Sequence, residues 1–184
     1  MAFSCYSPNW FIGYDVVFEF LFAIISFILA FFSYKLYKLT NQREVKLFGI
    51  SFFLISISYV VQSVFNFLVY SKSKELICNA MKVSQMSFFD FTGMYLHMLL
   101  MVTGLVVLLY MTLRVTNNKV IWVLLTIVLV SMVISINPYS TFYLMSTICL
   151  AYVSIYYIAN FIKHRQLLTL LVATAFLFLL FGSI

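Results

Sequence analysis

Charge is scarce in this chain of 184 residues: 9% are charged, and no polar block long enough to fold around a core of its own interrupts it. That excludes an appended kinase, nucleotide-binding or DNA-binding domain, so any such activity would have to come from a partner chain. Acidic residues are rarer still, five against eleven lysines and arginines, for a formal charge of +6. In a soluble protein this excess would point to nucleic acid. Here the basic residues lie at the ends of apolar segments, where membrane orientation accounts for them and no nucleic-acid partner is expected. The three cysteines, Cys5, Cys78 and Cys149, show no CxxC or Cys/His spacing, which removes zinc and thioredoxin-like chemistry. The opening "MAFSCYSPNWFIGYDVVFEF" has no basic leader and no clear small-residue cleavage site, so it is expected to be retained rather than removed as a signal peptide.

What remains is apolar: 65% of the residues are hydrophobic and 20% aromatic. This is membrane-protein composition, and the expected fold is an all-α polytopic transmembrane helix bundle forming a single domain over residues 1–184. A span needs about 20 mostly apolar residues. Six stretches reach that length, at about 14–36, 47–70, 87–111, 119–137, 140–162 and 166–184. The breaks between them read "KLYKLTNQREVK", "SKSKELICNAMKVSQ", "RVTNNK", "NPYS" and "KHRQ". In the fourth, Asn137-Pro138 marks a turn, because proline disfavours continuing a helix through that point.

Eight of the eleven basic residues (Lys35, Lys38, Arg43, Lys46, Arg114, Lys119, Lys163 and Arg165) fall in the first, third and fifth breaks, against Lys72, Lys74 and Lys82 on the other side. The positive-inside rule then places those breaks in the cytoplasm of a multi-pass cell-membrane protein, with the N-terminus outside. Asp15, Glu19, Glu75 and Asp90 lie on the outer side and Glu44 inside. The sequence stops at "LFLLFGSI" with no polar flank. Six spans, or six of seven, both fit. Tyr34/Lys35, Tyr110/Arg114 and Tyr157/Lys163 recur at the inner breaks, a pattern that aromatic belts produce in unrelated hairpins.

Polar residues inside the spans are the candidate site. Asp90, Met94, His97, Met101 and Gly104 recur at alternating steps of four and three, so they share one face of the third helix. His97 would sit roughly 15 Å deep, where an ionisable group must face the bundle interior or a wet cavity. Either it is a packed interhelical contact, or it serves a ligand, proton-relay or metal site. Met94, His97 and Met101 are the metal candidates, since thioethers with imidazole suit Cu(I) or a haem axial pair. No second histidine lies in a span and no cofactor is expected. On the first helix Asp15 and Glu19 are one turn apart and could meet a cation or cationic ligand. On the second, Tyr59, Gln62, Ser63, Asn66 and Tyr70 form a polar stripe, the usual mark of an interhelical contact. Glu19, Gln62, Asn66, Asp90 and His97 thus fall in one half of the bundle, the outer half. No acid lies in the inner half of a span, which counts against a pump and favours a cavity open at most to the outside. Cys5 and Cys78 are both expected outside, either free or joined by a disulfide.

The passage "FFSYKLYKLTNQREVKLFGISFFLISISYVV", Phe31 to Val61, resembles the first hairpin of multi-pass sensory-type membrane modules and of uncharacterised small archaeal integral membrane proteins. That resemblance implies a seven-helix sensory or accessory architecture and carries no site residues with it. The expected function is a non-enzymatic membrane sensor, receptor or accessory subunit with an outer-half polar pocket. It would live in the lipid bilayer, with a protein partner at the basic turns or as a homo-oligomer. The alternative is a small oligomeric transporter or channel for an ion, metal or small solute.

Overall fold

The computed structural model describes residues 9–75, 80–113, 117–164, 172–174 and 176–177, with side chains over 16–68, 91–113, 117, 119–163, 172–174 and 176–177. Five helices run in order: α1 (Asn9–Thr40), α2 (Arg43–Glu75), α3 (Ala80–Thr112), α4 (Asn118–Ile134) and α5 (Pro138–His164). Among the described residues there is no strand. A bilayer offers backbone groups no water, and a helix satisfies them within its own segment.

The turns are set by asparagines. Asn41 takes the left-handed conformation at φ 55° and donates its amide to the Tyr37 carbonyl at 2.8 Å. This is a helix end that asparagine tolerates and most residues do not. Only Asn41 and Gln42 separate α1 from α2, so the two helices run antiparallel. Asn117 caps α4, its side-chain oxygen accepting from the Lys119 amide at 3.0 Å, which satisfies one of the orphan donors of the first turn. Pro138 opens α5, and the Thr141 amide donates back to the Asn137 carbonyl at 3.2 Å. Proline at the first helical position gives up an N–H that would have no helical partner. The expected limits at 137 and 140 therefore shift to Ile134 and Pro138.

Four segments are long and apolar enough to cross a membrane: Val16–Thr40, Arg43–Leu68, Phe91–Thr112 and Pro138–Lys163. They answer to the expected spans at 14–36, 47–70, 87–111 and 140–162, and they are the make-up of a membrane protein. The segment expected at 119–137 is a shorter apolar helix, Lys119–Ile134. Of the stretch 166–184, residues 172–174 and 176–177 are helical, and the rest lies outside the described residues.

α3 is the centre of the bundle, touching α2, α4 and α5, whereas among the described residues of the five helices α1 packs only on α2. Val102, Leu105 and Val106 are each 1% exposed, as expected for a helix surrounded on most sides. One apolar cluster joins Leu105 and Leu108 to Phe52 and Ile55 of α2, to Leu150 and Val153 of α5, and to Phe176. The other joins Met98, Val102 and Val106 to Val128 and Met132 of α4.

α2 presents two rows of residues spaced by seven. Gly49, Ser56 and Ser63 form one row, and Ser51, Ser58 and Phe65 the other. The first faces α1: Gly49 lies against Ser33, and the Ser56 hydroxyl donates to the Ala23 carbonyl at 2.8 Å. The second faces α3: Ser51 lies against Gly104, Ser58 against His97, and Phe65 against Gly93. Numbers rise along α2 as they fall along α3, as an antiparallel pair requires. A repeat of seven keeps each row on its partner. α1 answers with Ala23, Ser26, Ala30 and Ser33, all buried, while Phe18, Ile25, Phe31 and Phe32 on its other sides are 53–62% exposed. Small residues at the contact and large ones toward lipid are the membrane solution, because lipid tails are as apolar as leucine and only close packing favours helix contact.

A methyl group added at Gly104 would lie 2.8 Å from Ile55 Cγ1 and 3.0 Å from the Ser51 carbonyl oxygen, whereas one at Gly49 would meet the Ser33 side chain at 3.3 Å. Gly104→Ala should therefore cost about 1–3 kcal/mol through overpacking against backbone. Gly49→Ala should be much milder. Melting of the two variants in detergent micelles checks this, and equal melting temperatures would mean that the α2–α3 contact yields as easily as the α1–α2 contact.

Candidate functional site

The polar stripe of α2 meets its neighbours over two turns of the helix, a stretch that forms the polar layer of the bundle. The Asn66 side chain donates from Nδ2 to Glu19 Oε1 at 2.7 Å, joining α2 to α1. Two turns along α2, Ser58 is fully buried and clamps His97 on α3. Ser58 Oγ lies 2.7 Å from His97 Nδ1 and 2.9 Å from the His97 carbonyl oxygen, and Nδ1 lies 3.0 Å from the Ser58 carbonyl oxygen. One proton assignment satisfies every contact. His97 donates from Nδ1 to Ser58, and the Ser58 hydroxyl donates to the His97 carbonyl. In the neutral ring Nε2 then carries the lone pair, and it makes no hydrogen bond among the described residues.

Rings frame the imidazole. Tyr59 has its centroid 5.4 Å away and itself stacks on Phe22 of α1 at 5.7 Å, while Phe142 of α5 stands 6.3 Å away. Between the two polar pairs, at the intervening turn of α2, Gln62 Oε1 is buried with no hydrogen-bond partner among the described residues. A buried amide oxygen left so costs about 1–3 kcal/mol of desolvation, which a donor entering the layer would recover. The layer therefore offers two acceptors, His97 Nε2 and Gln62 Oε1, beside the Glu19 carboxylate.

Of the residues expected to line a site, Glu19 and Asn66 touch, His97 meets α2 two turns away at Ser58, and Gln62 lies on the turn of α2 between those contacts. The side chain of Asp90 lies outside the described residues, as do Asp15, Cys5 and Cys78. Cys149 is a buried thiol in the apolar core. Met94 takes a hydrogen bond from the Tyr139 hydroxyl at 2.7 Å and packs on the α4 side, whereas Met101 packs on the α2–α5 side. The two thioethers thus belong to different packing clusters, and Nδ1 of His97 is occupied by Ser58. No three His, Cys, Asp or Glu side chains among the described residues converge to hold a metal. Ser58 and His97 do not form a nucleophile pair either: the hydroxyl is fully buried and directed at a carbonyl, with no room for a reacting atom beside it.

Two partners escaped the sequence reading. Ser58 falls one residue before the stripe that begins at Tyr59, and its place in the row Ser51, Ser58, Phe65 was the signal that could have found it. The second is a tie at the opposite end of the same helices. Arg43 Nη2 donates to the Tyr110 hydroxyl at 2.7 Å with its guanidinium 5.7 Å from the ring centroid, and that hydroxyl lies 3.3 Å from the Asn117 carbonyl oxygen. The α1–α2 turn and the α3–α4 turn are thereby joined.

A double-mutant cycle on Ser58→Ala and His97→Phe should return a coupling of about 0.6–1.7 kcal/mol, the range of interhelical hydrogen bonds in membranes. Additive losses in denaturant unfolding would mean that the clamp contributes no pairwise stability. No protein-family model, no curated protein and no solved structure matches the chain.

Proposed function

We propose that this chain is a non-enzymatic membrane sensor, receptor or accessory subunit whose polar layer receives a small hydrogen-bond donor or cation and whose basic turns engage a partner chain. The observation that carries this reading is the layer itself. Three acceptors, Glu19, Gln62 Oε1 and His97 Nε2, lie on α1, α2 and α3 along two turns of α2, with Glu19 tied to α2 through Asn66 and His97 through Ser58. Ionisable groups within spans are costly and cluster where a membrane protein handles a ligand or ion. α2 supplies the link to the other end: fifteen residues separate Ser58 from Arg43, about 22 Å of rigid helix. A ligand that draws Gln62 or His97 to a new position would shift α2 against α1 and α3, and Arg43–Tyr110 would feel that shift.

In the cell membrane this reading has six spans and the N-terminus outside, supported by the eight basic residues of the first, third and fifth breaks against three elsewhere. With α4 as the fourth span, its seventeen residues reach about 26 Å, close to the hydrocarbon thickness of about 30 Å. Single cysteines placed at Gln42 and at Lys74 in a background without native cysteines should label with a membrane-impermeant maleimide only at Lys74 in intact cells. The reverse pattern would invert the topology.

The functional test is native mass spectrometry of the purified protein beside the double variant Glu19→Gln, His97→Leu. The wild type should carry a non-lipid small molecule with a donor or positive charge, lost from the variant at a melting temperature within a few degrees. Only lipid on the wild type, together with the same co-purifying chains in both proteins, would sink the reading.

A further inference from the structure

Away from the polar layer, toward the α1–α2 turn, a groove of about 360 Å³ opens between α1 and α2. This lies within the roughly 300–1,000 Å³ of small-molecule clefts. It exists because the two helices meet there through small residues. Ala30 is buried against Gly49, which has no side chain, and Phe27, Phe31, Ile50 and Phe53 line the channel beside that contact.

Its chemistry is divided along its length. The walls are almost wholly hydrocarbon, and the lining residues that carry polar ends, Tyr34, Tyr37 and Lys46, fall together at the end nearest the α1–α2 turn. Lys46 Nζ lies 5.6 Å from the Tyr37 ring centroid and Lys38 Nζ lies 5.1 Å from that of Tyr34. Lys46 has no carboxylate partner among the described residues. Tyrosine beside lysine is the signature of the membrane–water interface, so the mouth sits at headgroup level. From Tyr37 the groove descends along α1 to Phe27, ten residues away, about 15 Å or one leaflet of an about 30 Å hydrocarbon core.

We infer that this groove binds one anionic phospholipid, with an acyl chain along Ala30 and Gly49 and the phosphate on Lys46. The length matches a single leaflet, the deep lining matches a hydrocarbon chain, and among the described residues the one charged group lining the groove, Lys46, is positive. A zwitterionic lipid would fill the channel equally well but would gain less at the mouth. The site is independent of the polar layer, and loss of either leaves the other standing.

The test uses the full-length chain, delipidated in a neutral detergent and titrated with phosphatidylglycerol or with phosphatidylcholine of the same acyl chains, the first bound lipid being read by native mass spectrometry. Phosphatidylglycerol should win, and Lys46→Gln should cut that preference about five-fold, the effect of one lysine near an anionic headgroup. Lys46→Arg should retain it. Ile50→Trp, at a rim position 41% exposed and so tolerant of bulk, should lower first-lipid occupancy for both lipids by filling the channel. Equal retention of the two lipids by the wild type would overturn the inference, as would an unchanged preference in Lys46→Gln or unchanged occupancy in Ile50→Trp. A delipidated dimer that added lipid does not dissociate, and that Ile50→Trp abolishes, would also overturn it, because a second copy would then fill the groove.

Discussion

Serine hydroxyls that donate to carbonyls of a neighbouring helix are the interaction on which this bundle depends. Ser33 reaches from α1 to the Val45 carbonyl at 2.7 Å, Ser56 from α2 to Ala23 at 2.8 Å, and Ser58 from α2 to His97 at 2.9 Å. Each needs two backbones close together, which small side chains permit and large ones prevent. In a bilayer this closeness must be earned by packing and hydrogen bonds, since moving a leucine from lipid to protein gains little. α2 carries most of these contacts and, with rows spaced by seven on two sides, is the helix through which α1 is attached to the rest.

That arrangement also explains why the polar layer can exist. Glu19 and His97 would be expensive guests on helices facing lipid, but α2 brings Asn66 to one and Ser58 to the other. Gln62, on the turn between, keeps an acceptor without a donor among the described residues. At the far end of the same helices the constraint is different: charge is abundant and rings hold it, with Arg43 on Tyr110, Lys38 on Tyr34 and Lys46 on Tyr37. Among the described residues, the polar layer thus leaves an acceptor without a donor while the far end gathers cations on rings, with closely packed apolar residues between them.

Much of the candidate site is legible in helical spacing. The stripe through Tyr59, Gln62 and Asn66 and the face bearing His97 follow from helical spacing alone, and Glu19 is conspicuous as an acid within an apolar run. What could not be read was which serine of α2 serves His97. Ser51, Ser56, Ser58 and Ser63 are all buried, and only the rotation of α2 between its two neighbours assigns Ser56 to α1 and Ser58 to α3. Arg43 and Tyr110 are 67 residues apart, and nothing local to either announces the other. The spans were legible to within a few residues where asparagine or proline ends a helix. They were less so at α4, whose apolar run is longer than the helix it forms because Pro138 begins the next one rather than ending a turn.

Helical structure, membrane composition and the positions of the turns are properties of short stretches, because a helix satisfies its own backbone and a break needs only a residue such as Asn41, Asn117 or Pro138. Those were determined by sequence alone. Which helices touch, which face of α2 meets α1, and where a groove remains open were decided by packing. The reason is that lipid and leucine are alike as surroundings, so a hydrophobic face does not reveal whether it will meet a neighbour or the bilayer. Only the fit of small residues such as Ala30, Gly49, Ser58 and Gly104 across the contacts makes that choice.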